Sequence, residues 1–145
     1  MNSKPKKLIL KVVVSLLTIF YGLVPAIVDM NETHLLNPLW SKHARIHGAW
    51  FRSFAAGIAL TALFLTWMRD HIVLPIVFGL MFAGGFWVAT IFQSAYGRGL
   101  VDTNGVEQQI MGIEANLFLF VVVSALFFAA LLFSMKLYGG HADDE

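Results

Sequence analysis

The chain has 145 residues, 58% of them hydrophobic and 13% charged, with a mean hydropathy of +0.72 and a formal net charge of +1. Soluble domains carry about 25% charged residues, so this composition belongs to the membrane class, and the near-neutral charge gives no footing for a nucleic-acid partner. The absence of cysteine excludes disulfides, thiolate-bound zinc, iron–sulfur clusters and thiol catalysis.

The first apolar run, Leu8–Val28, follows a basic start of Lys4, Lys6, Lys7 and Lys11. It exceeds the 7–15 residue core of a secretory signal, so it reads as a retained span. Ser15, Thr18, Gly22, Pro25 and Asp29 fall on one helical face and form a weakly polar stripe that ends in a carboxylate. A long polar connection, Asp29–His47, then carries the turn signal Asn37-Pro38.

The second run, Gly48–Met68, is expected to begin as an interfacial helix near Ser41. Ser53, Gly57 and Thr61 recur every four residues on it and predict a helix-packing face. Arg69-Asp70-His71 is a short turn into the third run, Ile72–Gln93, so these two spans form an antiparallel hairpin. On the third, Gly79 and Ala83, with Gly84 and Gly85, predict a second small face, while Trp87 is a packing residue. The glycine-bearing connection Tyr96–Glu114 leads to the bulky fourth run, Ala115–Leu137, expected to meet lipid and the small faces of its neighbours.

Each run is long enough to cross ~30 Å of hydrocarbon at ~1.5 Å per residue. Residues 1–145 therefore read as one all-α domain, a four-helix transmembrane bundle with spans at about 8–28, 48–68, 72–93 and 115–137. A sheet is not expected, because lipid-facing backbone must be satisfied within its own helix. The N-terminal lysine cluster predicts both termini in the cytoplasm, with the two long connections outside.

Polar residues gather at the predicted outer end: Asp29, Glu32, His34, His43, His47, Arg52, Gln93, Asp102, Glu107 and Glu114. His43 and His47 are four apart, a spacing that binds transition metals when a third ligand arrives, but one that specifies little alone. No metal and no cofactor are expected. Arg52 and Glu114 lie within about four residues of span boundaries on the same side and are expected to form an ion pair closing a small polar cavity, the alternative being Arg52 reaching to the phosphate layer with Glu114 just outside the hydrocarbon. Asp29 is expected just past a helix end, in water.

The stretch from Asp29 through His34, Pro38, Trp40, His43 and Arg45 to His47 resembles the first outer loop of small four-span bacterial membrane proteins of unknown function. The region from Gly97-Arg98 to Glu114 is similar to the same group. The resemblance implies a four-helix bundle in the cell inner membrane. A weaker similarity, carried by Asp29, Pro38-Leu39-Trp40 and the aromatic helix after it, is to the four-helix sterol-isomerase and sterol-binding group. That group carries a carboxylate on its second span, where this chain has only Arg52.

The functional expectation is a small multi-pass module that binds a membrane lipid, another hydrophobic small molecule, a partner membrane protein or a second copy through its outer polar end. The candidate ligand-binding residues are Asp29, His34, His43, His47, Arg52, Gln93, Glu107 and Glu114. The alternative is an enzyme performing proton transfer or hydrolysis on a lipidic substrate, with Asp29 or Glu114 as base, His47 as shuttle and Arg52 as anion stabiliser. A transport path is not favoured, because the inner half of the bundle offers few polar side chains.

Overall fold

A backbone that leaves water must satisfy its own N–H and C=O groups, so each long apolar run becomes a helix. The computed structural model describes residues 3–97 and 108–139. Helix α1 (Ser3–Thr18) passes through a π-helical turn (Ile19–Leu23) into the short α2 (Val24–Val28). Helices α3 (Lys42–Met68), α4 (Val73–Ile91) and α5 (Ala115–Gly139) follow. Four helical stretches, the first of them Lys4–Val28, are long and apolar enough to cross a membrane. The lysine end of the bundle holds the start of α1, the α3–α4 turn and the end of α5. The histidine end holds the end of α2, the starts of α3 and α5 and the end of α4.

The π turn was not foreseen, and Pro25 accounts for it. Proline has no N–H to donate, and its ring crowds the carbonyl four residues back. The helix widens just before it, where the Val24 N–H bonds the Ile19 carbonyl, an i→i−5 step.

The buried core is built by α1, the π turn, α4 and α5: Leu10, Val14, Leu17 and Tyr21 pack with Ile72 and Ile76, and with Val123, Phe127 and Ala130. Helix α3 adds nothing to this cluster. It docks through Ala55, Ala59 and Ala62, buried alanines that let it approach the π turn closely. Gly22 is the contact point: a Cβ there would lie 2.3 Å from Ala59 Cβ and 3.0 Å from the Ala55 carbonyl. Gly79 does the same for α5, since a Cβ there would fall 2.2 Å from the Phe127 ring.

These contacts correct the expected packing face of α3 and bear out Gly79 and Ala83 on α4, both of them buried. Ser53, Gly57 and Thr61 are exposed, and the alanine face of α3 is the packed one. Gly57, Gly84 and Gly85 have open space where a Cβ would stand. The buried small residues on α4 are Gly79, with Phe127 seated on it, and Ala83.

The α1–π segment packs against α3, α4 and α5, and α4 packs against α3 and α5. Helices α3 and α5 are not a packed pair, so a gap remains between them at the histidine end. There the chain also forms a short sheet, contrary to expectation. Strands β1 (Gln109–Ile110) and β2 (Ile113–Glu114) pair antiparallel across Met111 and Gly112, both at positive φ (54° and 78°). Positive φ at both central residues is the geometry of a two-residue hairpin turn.

At the lysine end, Lys11 Nζ meets Asp70 Oδ1 at 2.6 Å and Trp67 Nε1 donates to Ser15 Oγ at 2.9 Å. Both contacts tie α1 to α3 and the turn that follows it.

Candidate functional site

The connection between α2 and α3 is organised by two asparagines. Asn31 Oδ1 accepts from the Thr33 and His34 backbone N–H groups and from the Thr33 hydroxyl, while Asn31 Nδ2 donates to the Val28 carbonyl. Asn37 is 1% exposed; its Oδ1 accepts from the Leu39 N–H, and its backbone carbonyl accepts from Arg45 Nη2 at 2.7 Å. Ser41 caps α3, its hydroxyl accepting from the Ala44 N–H at 3.1 Å. The loop is thereby folded back on the helix ends, with Leu35 buried beside Gly48.

This fold-back brings Asp29 to Arg52. Asp29 Oδ2 accepts from Arg52 Nη2 at 3.0 Å and from Nε at 3.2 Å, and Arg52 Nη1 donates to the Gly48 carbonyl. The two side chains are 24% and 14% exposed. Gly48 leaves room for the guanidinium: a Cβ there would stand 3.1 Å from Nη1. His34 Nε2 approaches the other oxygen, Asp29 Oδ1, at 4.0 Å.

The expected partner of Arg52 is therefore corrected from Glu114 to Asp29, and Asp29 is half-buried and paired rather than in water. Glu114 has a different task. Its Oε1 accepts from the Asn116 N–H and side-chain amide, and its Oε2 accepts from the Leu117 N–H at 2.8 Å. A carboxylate on the free amides of a helix N-terminus is a cap.

The remaining candidates separate further. His43 and His47 face each other on the exposed side of α3, with Nε2 atoms 3.0 Å apart. Gln93 opens a short 3₁₀ turn after α4 and is half-buried. Glu32 is exposed. Asp102 and Glu107 lie outside the described residues. Among the described residues no three His, Asp or Glu side chains cluster around one point. Asp29, Arg52 and His34 thus form one group, His43 and His47 a second, and Glu114 a third. The carboxylates offered as general bases are committed, one to a guanidinium and the other to helix amides.

A feature that motif reading did not single out is the gap between α3 and α5. It is an apolar groove of about 560 Å³. Helix α3 lines it with Phe51, Phe54, Ala55 and Ile58; α4 supplies Phe78, Met81, Phe82, Gly85, Phe86 and Ala89; α5 supplies Phe120. The rings are ordered: Phe86 and Phe120 stack at 3.7 Å, Phe82 lies nearly parallel to Phe51 and Phe120, and Tyr21 backs Phe82 from the core at 4.7 Å. No lining side chain carries a charge or a hydrogen-bonding group.

A family model matches residues 13–141, nearly the whole chain. The chain belongs to DUF6640, a family of unknown function. No curated protein and no solved structure matches it. The DUF6640 assignment agrees with the expected kinship to uncharacterised proteins and carries no activity. Neither the bacterial inner-membrane group nor the sterol-isomerase group gains support from these comparisons.

Proposed function

We propose that this DUF6640 chain is a multi-pass membrane protein that holds one hydrophobic chain of a lipid-like amphiphile in the groove between α3, α4 and α5. The observation that carries the reading is the groove itself, about 560 Å³ of hydrocarbon-lined space, within the ~300–1,000 Å³ typical of ligand sites. From Phe78 to Ala89 its wall on α4 rises ~16 Å, about half of a ~30 Å hydrocarbon layer. That length suits a chain lying in a single leaflet.

Polar groups at the histidine end favour an amphiphile over a pure hydrocarbon. His47 stands one turn before Phe51 on α3, Asn116 one turn before Phe120 on α5, and Gln93 four residues beyond Ala89. Each wall of the groove thus ends in a hydrogen-bonding residue where a head group would sit. With the N-terminal lysines in the cytoplasm, this rim belongs to the outer leaflet of the cell membrane.

Paired glycine variants test the reading. Gly84 and Gly85 both have open space at Cβ, but only Gly85 lines the groove. Protein extracted in mild detergent should retain about one lipid-like molecule per chain by native mass spectrometry. Gly85→Phe should lose it and Gly84→Phe should keep it. Equal retention by both variants, or no retained molecule in the unmodified chain, would overturn the proposal. A protein that co-purifies in equal amount and is lost with Gly85→Phe would replace the lipid by a partner helix.

A further inference from the structure

At the start of α3 the Nε2 atoms of His43 and His47 lie 3.0 Å apart, with ring centroids at 4.5 Å. Both residues are exposed, and the i,i+4 spacing stacks them on one face. Two imidazole nitrogens this close cannot present two lone pairs, or two hydrogens, to each other. Between them belongs one Lewis acid: a proton held by one ring, or a metal ion bound by both.

Distances decide which metals fit. At the usual ~2.0–2.1 Å from nitrogen to metal, a 3.0 Å separation subtends about 94° at the ion. That is close to the right angle between neighbouring ligands of a square-planar or tetragonal centre, the geometry of Cu(II) and Ni(II). Tetrahedral zinc needs a separation of ~3.3 Å, so the rings would have to open by ~0.3 Å. The surroundings permit a cation. Lys42 and Arg45 point about 100° or more away around the helix from the histidine face, and the Arg45 guanidinium is turned to the Asn37 carbonyl. The Ser41 cap fixes the first turn, so the two rings stand on ordered backbone.

We propose that His43 and His47 form a two-histidine site for a divalent transition metal of the Cu(II) class. The spacing alone gives no reason to expect one; the convergence of the two Nε2 atoms does. Among the described residues no third protein ligand joins them, so the other coordination positions stay open to solvent. The site shares His47 with the rim of the groove, but the metal titration reads the two Nε2 atoms whether or not the groove holds a lipid-like molecule.

The test uses the full chain, without a histidine tag, in detergent, titrated with Cu(II), Ni(II) and Zn(II) by calorimetry. One Cu(II) per chain is expected, bound more tightly than Ni(II) or Zn(II), with two nitrogens in its equatorial plane by electron paramagnetic resonance. His43→Ala or His47→Ala removes the chelate and should weaken binding by roughly 10²-fold. A register variant, Lys42→His with His43→Ala, keeps all five histidines but spaces this pair five apart, about 140° around the helix. It should bind as weakly as the single variants, with unchanged helical circular dichroism. Wild-type affinity in the register variant, or in the His43→Ala, His47→Ala double variant, would overturn the proposal. So would failure of the unmodified chain to retain one Cu(II).

Discussion

Replacing Arg52 by methionine strips Asp29 of both hydrogen bonds to its Oδ2, at 3.0 and 3.2 Å, and leaves the His34 ring, with Nε2 4.0 Å from Oδ1, beside it. An exposed ion pair contributes about 0–1 kcal/mol, while breaking a buried one costs roughly 3–5. Side chains 24% and 14% exposed lie between these limits, and hydrogen bonds to charged groups contribute roughly 1.5–3 kcal/mol. A coupling energy of about 2 kcal/mol is expected for Asp29→Ala with Arg52→Met in a double-mutant cycle. Unfolding by a denaturing detergent, followed by helical ellipticity in one mild detergent, measures it. Because the pair is shielded, most of the coupling should survive ~0.5 M salt. The second cycle, Arg52→Met with Glu114→Gln, should be additive within about 0.5 kcal/mol. Coupling in the second cycle that equals or exceeds the first, or none in the first, would refute this account of the histidine end.

Other outcomes follow from the same geometry. Gly22→Ala should destabilise by ~1–3 kcal/mol, because the new methyl meets Ala59 and the Ala55 carbonyl; Gly57→Ala, in open space, should be neutral or stabilising by up to ~1 kcal/mol, read by the same unfolding assay. The hydrogen bond from Lys11, aided by the charges of Lys11, Lys7 and His71, holds the Asp70 carboxyl below its ordinary range. That stabilisation is present above the unfolded carboxylate value and is lost as pH falls through the depressed one. Asp70→Asn should therefore lower Tm at neutral pH and match the unmodified chain near pH 2, with under ~1 kcal/mol at stake because the side chain is 66% exposed. Glu114→Ala should cost about 1 kcal/mol by uncapping α5, as judged by the same ellipticity titration. A reporter that works only outside the cytoplasm, fused after Glu145, should stay silent; strong activity would reverse the proposed orientation.

The apolar runs placed the four long helices well, because length and hydropathy decide whether a segment can be a membrane-length helix. Local chemistry was legible too: the helix start near Ser41 and the tight turn at Arg69-Asp70-His71 were both readable in the chain. Rotation and partnership were not. The chain put Asp29, Arg52 and Glu114 at one end, but choosing between two carboxylates required the fold of the Asn31–Asn37 loop, which depends on side-chain hydrogen bonds rather than pattern. The packing face of α3 was misread for a different reason, while Gly79 and Ala83 on α4 were read correctly. Glycine and serine mark a close approach only if a neighbour arrives, and alanine at Ala55, Ala59 and Ala62 serves as well. The groove was invisible because a phenylalanine facing lipid and one facing a cleft have the same polarity.

The way α3 is attached has a mechanical consequence. The other helices share a core of bulky side chains, whereas α3 packs on the π turn through alanines and is fastened by Asp29 to Arg52 in its first half and by Ser15 to Trp67 near its end. It is a leaf held by two clasps against a three-helix spine. Widening the groove parts α3 from α4, where Phe51 stacks on Phe82, and leaves the spine whole. The opening is therefore set by the clasps together with the Phe51–Phe82 contact, and releasing the clasp at Arg52 loosens the leaf on the side where the groove lies.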